Sequence, residues 1–345
     1  MVAAGFSGLL LSMKTTGHSM SSTVTSNAFT LGALVILRGV NKDLDTVEKQ
    51  VSSNLRIQTA ADDPSYWSMA TTMRSDTSTL STIGDALSLG AAKVDTAYTG
   101  LTSAIDVVTK IQSLLVSAKS PGVDKDQMNV TLGQYEDQLN TITQAATISG
   151  ENWLYNDDQN VNSTKTIVSN FVRGTDGSVS LATVNYDATP AVLIDTVDPS
   201  RGLFTKDIDA SQLNPDGASS PARNYYLLAA TGGTPPADGT AVTISNSTSD
   251  DQMSDMISVV DSILKQLTSS AADLGVVSKR VDEQSTFVSQ LGDTVTQTVG
   301  NLVDTDMDEA SSRVSALTAA QQMAVQSVSM ANTMASKILI LLQGK

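Results

Sequence analysis

The chain has 345 residues, 36 acidic against 21 basic, a formal net charge of −15 and no cysteine. Length allows one to three domains with an ample core. The acidic balance without a basic cluster argues against nucleic acid and anionic membranes as partners, and the missing cysteine excludes disulfides, thiolate metal sites and thiol nucleophiles.

The stretch Met1–Ser19 has its early cation, Lys14, after the apolar residues instead of before them, so it does not read as a cleaved secretory leader. Leu37, Val40, Leu44, Val47 and Val51 then step by three and four, one apolar seam of a helix. From Tyr66 the same steps run through Met69 and Met73. They continue from Leu80 through Ile83, Leu87, Gly90, Val94, Ala97, Leu101, Ala104, Val108, Ile111 and Leu115 to Ala118, with only Asp76 breaking the series. That narrow seam predicts one long coiled-coil helix, on the order of 75–80 Å at its regular rise per residue. Pro121 and Gly122 end it, and a shorter seam through Leu132, Tyr135, Leu139, Ile142 and Ala146 predicts an antiparallel return.

Between about Tyr155 and Asp250 the pattern changes. Short alternating runs, "SVSLATVNY", "NYYLLAATGG" and "GTAVTISNS", are bounded by the turn formers of "NPDGASSPARN" and "TGGTPPADGT", which predicts a small β-rich insert. Helical periodicity resumes at Ile257 and holds one register through Val260, Leu264, Leu267, Leu274, Val281, Val288, Val295 and Leu302. At "NLVDTDMDEA" the seam slips by one residue, the mark of a bend or a change of partner in a continuous helix. It then passes through Met307, Ala310, Val314, Leu317, Ala324, Val328, Ala331, Ala335, Ile338 and Leu342. The apolar end Ile338–Leu342 is far too short to span a bilayer, and no other segment qualifies, so no membrane insertion is expected.

The helical segments at the two ends each lack a cover, and the economical solution is that they cover each other. The expected fold is mainly α: a long antiparallel coiled-coil helical rod formed by paired N- and C-terminal regions, carrying a small β-rich insert domain. Convergent chemistry is missing. The single histidine, His18, excludes a two-histidine zinc helix, "DTDMDEASSR" lacks the central Gly and final Glu of a calcium loop, and no phosphate-binding glycine pattern occurs. No cofactor and no enzymatic activity are expected. Trp67 and Trp153 read as packing anchors.

Particular stretches resemble a known family. "SSNLRIQTAADDPSYWSMATTMRSD", Ser52 to Asp76, resembles the N-terminal signature of bacterial flagellins. "LSLGAAKVDTAYTGLTSAIDVV" and "TISGENWL" resemble the alphaproteobacterial, rhizobial-type branch, and "NLVDTDMDEASSRVSALTAAQQMAVQSVSMAN" resembles the family's C-terminal segment. The motif positions are Asn54, Arg56, Ile57, Asp62, Asp63, Trp67, Asn152 and Trp153. Asn54 stands where the family usually has Gly, and Asn is a common replacement in a left-handed backbone position. Pro64 suits the first turn of the long helix.

The resemblance implies a structural subunit of the flagellar filament. It would leave the cell through the flagellar type III apparatus, meet an export chaperone and a filament cap, and assemble outside the cell with itself or with sister flagellins. It implies a terminal coiled-coil domain of residues 20–63 and 303–345, a helical rod domain of 64–155 and 251–302, and a variable surface-exposed domain of 156–250. Residues 1–19 precede the usual family start at Met20 and read as an addition or a start-site artefact. The terminal seam would be the assembly element; the rod seam, with Leu87, Val94, Leu101, Val108, Ile111, Leu115, Leu264, Leu267, Leu274, Val281 and Val288, would hold the rod. Two alternatives stay open: a hook–filament junction protein, and a surface homologue whose Tyr186, Tyr225 and Tyr226 stack on a polysaccharide.

Overall fold

The computed structural model describes residues 21–158, 163–214, 223–229 and 239–343, and their side chains except at 21–29, 335, 338, 339 and 341–343. The stretch 1–19 with His18, most of both turn-rich runs, and the side chains of Ala335, Ile338 and Leu342 lie outside the described residues.

Among the described residues five α-helices carry the fold: α1 (Ser21–Ser53), α2 (Pro64–Ala118), α3 (Lys125–Ala145), α4 (Asp250–Val303) and α5 (Met307–Gln343). They group into two compact units, residues 75–296 and residues 1–74 with 297–345.

Within residues 75–296, α2 and α4 run antiparallel. Asp95 accepts from Ser278 at 3.0 Å, Gln112 donates to Asp261 at 3.1 Å, and Lys119 donates to Ser254 at 2.8 Å. From the first pair to the second, 17 residues forward in α2 match 17 back in α4, and the next step is seven against seven. Equal steps mean the register never slips, which is what a sustained heptad seam produces. Its side chains Leu87, Val94, Leu101, Val108, Ile111 and Leu115 from α2, with Leu267, Leu274, Val281 and Val288 from α4, are all buried, and Leu264 is partly buried against them.

That seam corrects one expectation. The most apolar 18-residue window of α2 reaches a mean hydropathy of 1.2, long and apolar enough for a bilayer by length and composition. The value combines the Leu, Val, Ile and Ala of the buried seam with apolar residues outside it, since 39 % of the window is buried, and such a composition is one that a core helix shares with a membrane span.

Asp124 caps α3, its carboxylate accepting from the amides of Asp126 and Gln127. The chain returning from the insert lies along α3: Asn129 accepts from the Ile244 amide at 2.8 Å, and Lys125 donates to the Thr248 carbonyl at 2.9 Å. Gly100 on α2 sits where a Cβ would meet Leu154 at 2.5 Å and Ala146 at 3.1 Å, so glycine there permits close approach of the 146–154 turn.

The insert holds small sheets. β1 (Thr147–Ile148) pairs with β2 (Glu151–Asn152), and β3 (Tyr155–Asn156) pairs in parallel with β6 (Ile194–Asp195). The one long pairing is the hairpin of β4 (Thr164–Arg173) and β5 (Val179–Asp187), with a bulge between Val168 and Asn170. β8 (Asn224–Tyr226) sits between β7 (Ile208–Asp209) and β9 (Thr240–Ala241). The alternation of "GTAVTISNS" extends well past Thr240–Ala241, yet Val242 and Ile244 are buried outside any strand. The strand they follow, β9, pairs with β8, which is only three residues long; after the Val242 amide donates to the Tyr226 carbonyl the ladder ends, while burial continues.

Burial also removes the platform for sugar stacking. Tyr186, Tyr225 and Tyr226 are all buried, and Tyr186 lies against Trp153 with ring centroids 5.7 Å apart. These rings are core, and the polysaccharide reading loses its aromatic surface.

Candidate assembly surface

In the unit of residues 1–74 with 297–345, α1 packs along α5. Asn41 accepts from the Gln321 side chain at 2.8 Å, and Leu55 bridges Asp304 in the antiparallel sense. Leu44 and Val47 from α1 and Ala310 and Ala324 from α5 are buried; Leu37, Val40, Val51, Val314, Leu317, Val328 and Ala331 are half-buried. Met307 opens α5 and is 39 % exposed. Small residues on α5 let the two helices approach closely, and no charge lies among these side chains, so none is buried unpaired.

Where α1 gives way to α2, and α4 to α5, the two breaks are tied together. Asn54 takes a left-handed φ of 60°, which Asn tolerates better than other non-glycine residues. The Val303 carbonyl accepts from the amides of Arg56 (2.6 Å) and Ile57 (3.3 Å), the Arg56 guanidinium donates to the Leu302 carbonyl at 2.8 Å, and the Thr305 amide donates to the Asn54 carbonyl at 3.1 Å. Ile57 is buried at this joint. The slip at "NLVDTDMDEA" is therefore a true helix stop: Val303 ends α4, and Asp306 caps α5 by accepting from the amides of Asp308 and Glu309. A capping aspartate followed by an acidic first turn was the available signal.

Asp62 and Asp63 finish the α1–α2 turn. Asp63 accepts from the amides of Ser65 and Tyr66, with Pro64 as the first helical residue. Asp62 accepts from the Thr59 amide at 2.9 Å, the Gln58 amide at 3.0 Å and the Thr59 hydroxyl at 3.1 Å. These bonds, the Thr59 amide foremost, hold its carboxyl below the ordinary carboxylate range. A depressed folded pKa gives a contribution that is complete above the unfolded value, about 4, and lost as pH falls through the folded one. The Gln58 and Thr59 amide resonances should thus titrate with a midpoint below 3.8, and Asp62→Asn should remove the transition. A midpoint at the ordinary aspartate value would show that the turn does not hold the carboxylate.

Asn152 and Trp153 belong to residues 75–296. The Asn152 amide group donates to the Thr143 carbonyl at 2.7 Å while its oxygen accepts from the Leu154 and Tyr155 amides, and Trp153 is buried. Trp67 is 36 % exposed, so of the two tryptophans only Trp153 is a buried anchor.

Beyond these residues the unit of the terminal helices shows apolar surface that the seam did not include. On α1, Leu31 (57 %), Val35 (65 %) and Ile36 are exposed; on α5, Met323, Val325, Met330, Met334 and Ile340 are exposed. Leu31 and Val35 stand one turn apart, a signal present in the sequence just upstream of the seam that starts at Leu37. Each terminal helix covers one stripe with its partner and leaves a second line bare, Leu31 and Val35 on α1 and Met323, Met330 and Met334 on α5, while Ile36, Val325 and Ile340 are exposed on other faces.

Two family models match the chain: the bacterial flagellin N-terminal helical region over residues 24–159 and the bacterial flagellin C-terminal helical region over residues 257–342. The chain is 48 % identical to Flagellin C of Rhizobium meliloti (strain 1021), with 93 % of this chain and 99 % of that protein covered. It is 37 % identical to Flagellin B of Rhizobium meliloti over 93 % and 99 % of the two chains. Flagellin of Brucella melitensis biotype 1 is 31 % identical, with 94 % and 100 % covered.

Proposed function

We infer the function from one premise: this chain belongs to the bacterial flagellin family. It is a structural subunit of the flagellar filament, an extracellular self-assembling protein that serves motility. The observation that carries the assembly reading is the second, bare apolar stripe on α1 and on α5. A pair of helices with that much exposed aliphatic surface gains by burying it against further copies. A stripe that meets a different stripe on a neighbour makes a head-to-tail contact, and where the rotation between copies does not close, such contacts build a helical filament instead of a ring.

In this reading the residues 20–63 and 303–345 form the inner tube, the regions 64–155 and 251–302 surround it, and 156–250 faces outward. The seam residues Leu37 to Val51 and Met307 to Leu342 act in assembly; Leu87 to Leu115 with Leu264 to Val288 hold each subunit's helices together. The protein catalyses no reaction. Before assembly a chaperone covers the bare terminal stripes, and a cap at the filament tip guides addition of subunits. The hook–filament junction alternative has no observation in its favour.

Sedimentation with negative-stain microscopy tests the reading, with full-length chain beside a chain ending at Leu302. Full-length protein seeded with fragments of its own native filament is expected to grow long filaments, and the shortened chain to stay in the supernatant. Full-length protein that remains monomeric under seeding would overturn it.

A further inference from the structure

Twelve methionines and no cysteine make thioether the only sulfur chemistry this chain has. Their placement is uneven. Met253 and Met256 are buried among the core residues of α4, whereas Met323, Met330 and Met334 stand 63 %, 59 % and 65 % exposed on α5. Steps of seven and four put these three on one line along the helix, roughly a quarter of a turn from the seam of Ala324, Val328 and Ala331. Between them lies Ser327, so the face holds three sulfurs without a branched aliphatic side chain to shield them.

We propose that the Met323–Met330–Met334 face is an oxidant-sensitive modification site, and that its oxidation in the free subunit blocks filament growth. The proposal rests on the filament reading above, since it is growth that covers this face. The co-reactant is a peroxide, here hydrogen peroxide. A thioether sulfur lone pair attacks the nearer peroxide oxygen; an S–O bond forms as the O–O bond breaks, sulfur loses two electrons, and the departing hydroxide takes the remaining proton to leave as water. Each product sulfoxide is polar where the thioether was apolar. A surface built to be buried then carries polar oxygens that the neighbouring subunit must desolvate without a partner. Assembly itself protects the site, because a sulfur already covered is out of reach of the oxidant.

The test uses full-length chain and hydrogen peroxide. Soluble subunits are oxidised in steps, mapped by peptide mass spectrometry, and then assayed for seeded elongation by sedimentation; preformed filaments receive the same treatment. In free subunits Met323, Met330 and Met334 are expected to gain oxygen before Met253 and Met256, elongation is expected to fall about tenfold, and methionine sulfoxide reductase should restore it. In filaments the three should stay reduced. Replacing all three by Leu (M323L/M330L/M334L) keeps an apolar, helix-favouring surface and removes the oxidisable sulfur from this face alone, leaving the exposed Met69 and Met307 as internal controls, and that variant should elongate equally well with and without peroxide. Undiminished elongation by subunits mapped as oxidised at all three positions would overturn the proposal, as would an equal loss in the Leu variant or failure of the reductase to rescue. Untreated wild-type chain that does not elongate at all indicts the filament reading instead.

Discussion

Arg223→Ala should cost the unit of residues 75–296 about 3–5 kcal/mol, the largest loss expected from a single side chain in the insert. Asp255 on α4 is wholly buried. Its carboxylate accepts from the Arg223 guanidinium at 3.0 Å on one oxygen and 2.6 Å on the other, and Asn214 adds a bond of 2.9 Å. Arg223 also donates to the Asn214 carbonyl. Truncating the arginine leaves a buried anion with one neutral partner, and that stranded charge, more than the lost pair, sets the cost. Chemical denaturation measures it. Replacing both partners with apolar residues, Arg223→Met with Asp255→Leu, should regain most of the loss, because the pair itself is close to neutral against well-packed hydrophobes. A loss below about 1 kcal/mol for the single variant would mean the pair behaves as an exposed bridge and that Asp255 finds water.

The contrast with the rod seam shows what one-dimensional pattern carries. Heptad spacing is local, so Leu87 to Leu115 and Leu267 to Val288 could be placed on one face without knowing their partners, and the fold buries them. Asp255 follows no such rule. From Met253 to Leu274 the buried surface of α4 widens to take in Asp255, Val259 and Ser270, because the insert covers that length of helix; Ser270 donates to the Pro190 carbonyl at 2.6 Å. Further on, only Val281 and Val288 are buried before Val299. Which of the aspartates in "DDQMSD" turns inward depends on Arg223, and nothing local to the helix marks it. The same limit applies to the joint. Val303 ends α4 because Arg56 and Ile57, far away in sequence, supply donors to its carbonyl. The proposed assembly surface was half legible for a related reason. A seam that is covered within the chain shows as one stripe, and a second stripe such as Leu31 and Val35 has a purpose only once other copies are considered.

Leucine-to-alanine changes in the two kinds of stripe should therefore separate stability from assembly. Leu101 is fully buried in the α2 seam, and Leu101→Ala removes a packed side chain from a site that collapses only in part. The expected cost is about 2–5 kcal/mol of monomer stability. Filaments should still elongate at temperatures where the variant stays folded, because the bare stripes of α1 and α5 are untouched. Leu31 is 57 % exposed on α1, and Leu31→Ala should shift the monomer by no more than about 0.5 kcal/mol, the ordinary range for a surface change. Elongation should suffer instead, since each added subunit loses the apolar area that Leu31 would bury, and the loss recurs at every copy along the filament. Paired measurement of the denaturation midpoint and of seeded elongation distinguishes the cases. If Leu31→Ala destabilised the monomer as Leu101→Ala does, the stripe would already be covered within the chain. If it elongated at the wild-type rate, α1 would contribute to the filament through its seam alone, and the bare surface that matters would be on α5.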